Sequence, residues 1–299
     1  MDISIPVDAE EIAREITDFL GLPADEVRRR VQREAGELGY NVARDVERFG
    51  VRPHVYDEAM EKLYREGEGF IFETLVFWAK PTRQEWTERA LRRIEAYRAR
   101  RGLRREDVRV LTLGDGTGND TLALVRQGYS VDYFEVPGSR TFDFALRRFE
   151  RYGLLGSRVR LVTEYEQCLT GAYDVAISFE VLEHLPDPVT AIRDMRSMLR
   201  DGGIALVTEA FGVFHPDLPT HLRTNTKYEG RLPHLFLDAG MPLSWYSRAP
   251  LFKPAEFTRR DLSPAGALAA RARLWADPRI SKFWLGSRIR EAKRGRAGA

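Results

Sequence analysis

Residues 110–120 read VLTLGDGTGND, an apolar run that breaks into glycine at every second position, at Gly114, Gly116 and Gly118. A strand that ends this way is constrained twice. Its glycines let the backbone bend sharply and approach a ligand, and a helix that follows offers unpaired N–H groups at its start. The surroundings agree with a strand before the turn and a helix after it. Short apolar runs at 108–113, 130–135, 159–163, 173–178 and 204–209 alternate with amphipathic stretches. Regular strand and helix alternation predicts a mostly parallel sheet covered on both faces, so the expected fold class is α/β.

The first hundred residues carry a different pattern. In ADEVRRRVQREAGELGY, Val27, Val31, Ala35 and Leu38 recur at helical spacing among charges, and 57–64 and 82–101 read likewise, with Pro81 and Thr82 as a helix start. Between them GEGFIFETLVFWAK crowds Phe70, Ile71, Phe72, Leu75, Val76, Phe77 and Trp78 together. Such a cluster packs against a neighbouring domain, lines a pocket or pairs two chains as a homodimer. After Glu209 comes a polar, histidine-bearing insertion, then a helix-to-strand passage, LPHLFLDAGMPLSWYSR, and a helical end with a basic tail. The expected division is a helical region over 1–105 for acceptor binding, lid or dimerisation, a catalytic domain over 106–258, and a C-terminal helical extension over 259–299.

Composition narrows the function. The 47 basic and 45 acidic side chains leave a net charge of +2, which gives no pull toward nucleic acid or anionic lipid. A small-molecule partner is expected instead, with no nucleic acid and no membrane. Cys168 is the single cysteine, so no intramolecular disulfide and no cysteine metal cluster can form. The opening MDISIPVDAEEIAREI is acidic and lacks a signal-peptide core, which predicts a cytoplasmic protein.

The glycine spacing separates two kinds of ligand. A dinucleotide fingerprint wants GxGxxG, whereas Asn119 stands where the third glycine would fall, and no GxxxxGK[ST] loop is present. Phosphate recognition therefore loses ground. Beyond the turn, SVDYFEV ends its alternation in Glu135, a carboxylate at the tip of a second strand. Such an acid can accept two hydrogen bonds from a vicinal ribose diol, which asks for a nucleoside but no phosphate.

With these residues in place, the sequence resembles the class I S-adenosylmethionine-dependent methyltransferases. LTLGDGTGND looks like their glycine-rich first motif, Glu135 stands where their ribose-binding acid would be, YDVAISFEVLEHLPDP resembles the fourth-strand motif, and LRDGGIALVTE is similar to the passage into their fifth strand. The resemblance implies a doubly wound, mostly parallel seven-stranded sheet and S-adenosylmethionine as cofactor. It places the cofactor against Gly114, Asp115, Gly116, Thr117, Gly118, Glu135, Val136 and Glu164, with Phe179 and Glu180 on the methionine side. Two departures stand out. Thr112 replaces the acid usual two before the first glycine, with Asp115 either compensating or capping the next helix, and Asp201 replaces a proline before the paired glycines.

Methyl transfer from a sulfonium needs alignment, exclusion of water and a nucleophile with a free lone pair. A hydroxyl acceptor benefits from a general base, so His215 and His221, flanking HPDLPTH after the fifth strand, are the expected acid/base or acceptor contacts. His184 in EVLEHL reads as structural or cofactor-side, and His234 as packed on a helix. A metal set of His215, Asp217 and His221 matches no defensible spacing, and no metal is expected. The expected activity is methyl transfer to a small acceptor, at oxygen rather than nitrogen, in specialised-metabolite or sugar biosynthesis. The alternatives are N-methylation of a small amine and a non-catalytic nucleoside-binding scaffold.

Overall fold

The computed structural model describes residues 3–215 and 218–297, with side chains through Arg290. The chain divides into two compact units, Met1–Cys168 with His215–Thr220, and Leu169–Phe214 with His221–Ala299.

The first unit opens with six helices: α1 (Ala9–Leu20), α2 (Ala24–Gly36), α3 (Tyr40–Phe49), α4 (Glu58–Glu66), α5 (Gly69–Ala79) and α6 (Pro81–Arg101). Local chemistry sets their starts. The Asp8 carboxylate accepts the N–H of Glu10 at the head of α1, the Asp57 carboxylate accepts that of Met60 in α4, and Pro81 opens α6 at the first turn, where a missing N–H costs nothing. Helix α5 is the aromatic cluster. Apolar nearly all round, it must be buried on most sides. Its Ile71, Phe72 and Leu75 share one core with Ile12 and Ile16 of α1, Val27 and Val31 of α2, and Phe144 further along the chain. Each such side chain contributes ~1.5–3 kcal/mol on burial. Ile71, Phe72, Leu75, Val76 and Trp78 are buried while Phe70 and Phe77 are half-buried, so intrachain packing covers most of the cluster.

Three strands and two helices complete the first unit: β1 (Arg109–Leu113), α7 (Asn119–Arg126), β2 (Ser130–Phe134), α8 (Arg140–Arg151) and β3 (Val159–Val162). β2 pairs in parallel with both β1 and β3.

The second unit holds β4 (Tyr173–Phe179), α9 (Pro188–Met198), β5 (Leu199–Thr208), α10 (Leu232–Asp238), β6 (Leu243–Arg248), β7 (Leu251–Thr258), α11 (Pro264–Ala276) and α12 (Pro278–Ala297). β4 and β5 are parallel, while β7 runs antiparallel to both β5 and β6. All seven residues of β4 are buried, as expected of a strand covered on both faces. The strand order is β3-β2-β1-β4-β5-β7-β6 in a seven-stranded mixed sheet with flanking helices, the α/β architecture that the sequence pattern implies. No helix among the described residues is long and apolar enough to cross a membrane.

One acid in the helical part yields a test. Burial pushes the Glu73 carboxyl on α5 up to about 8, and the nearby Glu34 carboxylate adds to the shift. An acid whose folded value lies above its ordinary 4.5 holds a proton in the native state that the unfolded chain has released, so stability falls as pH rises from 4.5 toward 8. Glu73→Gln removes this dependence. Its melting temperature relative to the parent is expected to climb across that interval, and a constant difference would place Glu73 in water.

Candidate functional site

In the first unit the turn between β1 and α7 is built from left-handed glycines. Gly114, Gly116 and Gly118 have φ of 69°, 56° and 79°. Gly118 also lacks room for a side chain, whereas Gly116 has space for one. A Cβ on Gly118 would meet the Phe149 ring at 2.6 Å, and one on Gly116 would touch Thr74 of α5 at 3.4 Å. The turn is then fixed from outside: Gly114 N–H donates to Phe134 O at 2.9 Å, the Tyr133 hydroxyl to Gly116 O, and Arg148 to Thr117 O at 2.8 Å. Thr74 and Thr117 share a hydroxyl bond of 3.1 Å, which brings the N-terminal helices to the turn.

Glu135, one residue past β2, faces this turn. Its Oε2 accepts the Gly116 N–H at 2.7 Å and its Oε1 accepts the Val136 N–H at 2.9 Å. Burial pushes its carboxyl up, against the pull of these two bonds. An amide on each oxygen orients the carboxylate and leaves each oxygen further acceptor capacity, which suits a pair of vicinal hydroxyls. Beside it Val136 is 47% exposed, an apolar face next to the acid.

Asp115 points the other way. Both of its oxygens serve α7, accepting the N–H of Asp120 at 3.0 Å and of Thr121 at 2.7 Å, while Thr112 is buried with its hydroxyl on that of Thr121. Burial, then the neighbouring Asp120, hold the Asp115 carboxyl above the usual range. The geometry is that of a helix cap. Glu164, just past β3, is exposed.

In the second unit the carboxyl ends of β4 and β5 gather charge. Glu180 takes φ 54°, an uncommon conformation for a residue with a side chain, and its N–H donates to the Thr208 hydroxyl at 3.0 Å. Burial works against its charge, but an ion pair with Lys253 outweighs that and holds the carboxyl below its ordinary value. The same ammonium donates to Glu209 O at 2.7 Å. Glu209, buried at the end of β5, is pushed up to about 7 by burial, against the pull of Lys253 and of the Phe211 N–H. Phe179 is buried at the end of β4.

Three residues on, Glu183 is buried and its carboxyl is raised well above the usual range, by burial first and by Glu180 next. The short turn that carries it is clamped, since the Asn225 amide donates to Glu183 O at 3.0 Å and Leu185 O at 2.9 Å, and the Leu222 N–H to Glu183 O at 3.1 Å. His184 and His221 meet edge to face with ring centroids 4.9 Å apart. The Val213 carbonyl lies 2.8 Å from His221 Nδ1, and because a carbonyl only accepts, Nδ1 carries the proton and Nε2 the lone pair of the neutral ring.

Sequence reasoning placed Gly114, Gly116, Thr117 and Gly118 in one turn, Glu135 at the tip of β2, and Phe179 and Glu180 at the end of β4, and the structure has each at that position in the fold. His215 is exposed, and Asp217 lies outside the described residues. Missed were Glu183, Glu209 and Lys253. Glu183 had a usable signal, the Glu-x-x-Glu-His spacing of EVLEH. Lys253 had none, since it lies between two prolines in a strand that the pattern hides. His234 packs on α10 with its ring against Trp275, as expected.

A methyltransferase domain family model matches residues 83–262. A ubiquinone biosynthesis O-methyltransferase of Sodalis glossinidius (strain morsitans) is 30% identical over 94 residues, 31% of this chain and 38% of that protein. One from Xanthomonas campestris pv. campestris (strain B100) is 32% identical over 95 residues, 32% of this chain and 40% of that protein. The chain thus spans about two-fifths of the length of these relatives. Among solved structures, a putative sarcosine dimethylglycine methyltransferase from Galdieria sulphuraria is 14% identical with a TM-score of 0.44, covering 82% of this chain and 91% of that one.

The turn can be tested without any ligand. Gly118→Ala combines a left-handed φ with the Phe149 contact, whereas Gly102→Ala has a φ of 63° and nothing within 4 Å. Strain of this kind costs about 1–3 kcal/mol. Gly118→Ala is expected to lower the melting temperature by several degrees more than Gly102→Ala; equal losses would show that Phe149 yields freely.

Proposed function

This chain belongs to the class I S-adenosylmethionine-dependent methyltransferases, and from that premise we propose that it methylates a hydroxyl group of a small organic acceptor. It is an enzyme and its cofactor is S-adenosylmethionine. When bound, that cofactor supplies a methyl group already activated on a sulfonium. The residues present fit it. Glu135, oriented by two backbone amides, holds the ribose hydroxyls; Gly114, Gly116 and Gly118 admit close backbone approach; Val136 offers an apolar surface. Thr117 completes the turn, Asp115 supports it by capping α7, and Glu164 is the more distant candidate for the adenine.

What carries oxygen over nitrogen is a carboxyl able to accept a proton near neutrality past β5, with a histidine in the same unit. Glu209 sits at about 7, and His221 is oriented by the bond from its Nδ1 to the Val213 carbonyl. A hydroxyl nucleophile benefits from such a base, whereas an amine needs only to be unprotonated. The O-methyltransferase relatives favour the same reading. His215 is proposed as a further acceptor contact from the same insertion, and the N-terminal helices, which reach the glycine turn through Thr74, shape acceptor choice.

Turnover of S-adenosylmethionine with a panel of small phenols, sugars and amines, read by mass spectrometry of the product, tests this directly. Methylation of amines alone would overturn the oxygen assignment. Glu135→Ala should weaken cofactor binding by ~1.5–3 kcal/mol, about 10- to 150-fold in Kd by calorimetry, and unchanged affinity in a folded variant removes Glu135 from the site.

A base works only when deprotonated, so kcat/KM is expected to rise with pH through about 7, and Glu209→Gln to abolish that limb. His215→Ala and His221→Ala should each reduce kcat while leaving cofactor affinity intact. Full rate in both would end the histidine assignment.

A further inference from the structure

The cluster in the second unit contains a charge imbalance that methyl transfer does not by itself require. Glu180, Glu183 and Glu209 bring three carboxyl groups to the ends of β4 and β5, and Lys253 brings one ammonium, which is committed to Glu180 and to the Glu209 carbonyl. Glu183 is left over. It is 1% exposed, and neither of its oxygens accepts a hydrogen bond from another described residue. A buried carboxylate without partners is costly and calls for an explanation, either a retained proton or an ion.

The neighbours of Glu183 favour the ion. Glu183, His184 and His221 each offer one ligand atom, and these three atoms lie within 4.8 Å of one another. The groups are also prepared for coordination. The bond between His221 Nδ1 and the Val213 carbonyl fixes the ring and directs the basic nitrogen, Nε2, away from the backbone, which is how metal-binding imidazoles are commonly oriented from behind. The backbone under Glu183 is held by Asn225 and Leu222, so the carboxylate and the next residue, His184, are presented from a fixed turn.

We propose that Glu183, His184 and His221 bind a divalent first-row transition-metal ion of the Zn2+, Co2+ or Fe2+ class. Two imidazole nitrogens and one carboxylate oxygen select such ions over Mg2+ and Ca2+, which prefer oxygen donors throughout. With three protein ligands the ion keeps open positions, as catalytic rather than structural sites do. The binding stands on these residues alone; its use rests on the methyl-transfer reading. There the ion would hold the acceptor oxygen and make its hydroxyl more acidic, His221 would serve as a ligand, and the released proton would pass to Glu209.

The test is made on the full chain, stripped with a chelator and titrated with Zn2+, Co2+ and Mg2+ by calorimetry, with the visible spectrum of the Co2+ form as a second readout. One equivalent of Zn2+ or Co2+ should bind, Mg2+ should bind far more weakly, and the Co2+ spectrum should report nitrogen ligation. His184→Ala, at the half-buried ligand, and Glu183→Gln, which keeps the shape of the side chain, should each weaken Co2+ binding at least 10-fold with circular dichroism unchanged. Absence of saturable Zn2+ and Co2+ binding, or binding unaltered in both variants, would overturn the site. A cofactor titration on the same stripped protein reads the methyltransferase assignment separately, so loss of one result does not imply loss of the other.

Discussion

Much of the first unit rests on a contact that exists because a side chain is missing. Phe149 of α8 occupies the space where Gly118 would carry a Cβ, and this fixes how closely α8 approaches the turn between β1 and α7. From that approach Arg148, one residue earlier, reaches Thr117 O and the Asn119 side chain. Tyr133 and Glu135 then hold the carbonyl and the amide of Gly116 from the end of β2. The turn is shaped by its neighbours more than by its own residues. Such outside support is the condition for preorganisation, since a turn held before the ligand arrives need not be ordered by it.

The second unit solves a different problem, that of gathering acids where water is scarce. Placing Glu180 in a left-handed conformation turns its carboxylate to Lys253 and keeps it charged. Glu209 and Glu183 receive no ammonium of their own to balance them, and burial raises both. One buried environment therefore holds an ionised acid, an acid near neutrality and a strongly raised one. Divergence of this kind among neighbouring titratable groups is typical of sites where protons or cations are handled. Transfer from a sulfonium supplies its own leaving group, so the tasks that fall to the protein are alignment, exclusion of water and a destination for the acceptor's proton.

The helical region ahead of β1 belongs to this same economy of burial. Helix α5 carries apolar side chains on nearly every face, and the first unit absorbs them into a core shared by α1, α2 and α8. Of its two polar side chains, Glu73 and Thr74, it is Thr74 that bonds to the glycine turn.

By itself the sequence determined the architecture, the glycine turn after β1 and the acid past β2. Strand and helix alternation, the glycines at 114, 116 and 118, and the acid ending the second strand are local signals, because backbone bends and strand tips are set by residues adjacent in the chain. β7 escaped, since Pro250 and Pro254 break the strand pattern and only pairing with β5 and β6 restores it. Tertiary structure alone decided the rest. Whether Asp115 serves a ligand or a helix depended on where the first amides of α7 came to lie. Whether His184 was structural depended on His221, thirty-seven positions away in sequence and 4.9 Å away in space. Charge balance is a property of a volume, not of a segment, so no reading along the chain could have shown that Lys253 neutralises Glu180 and leaves Glu183 unmatched.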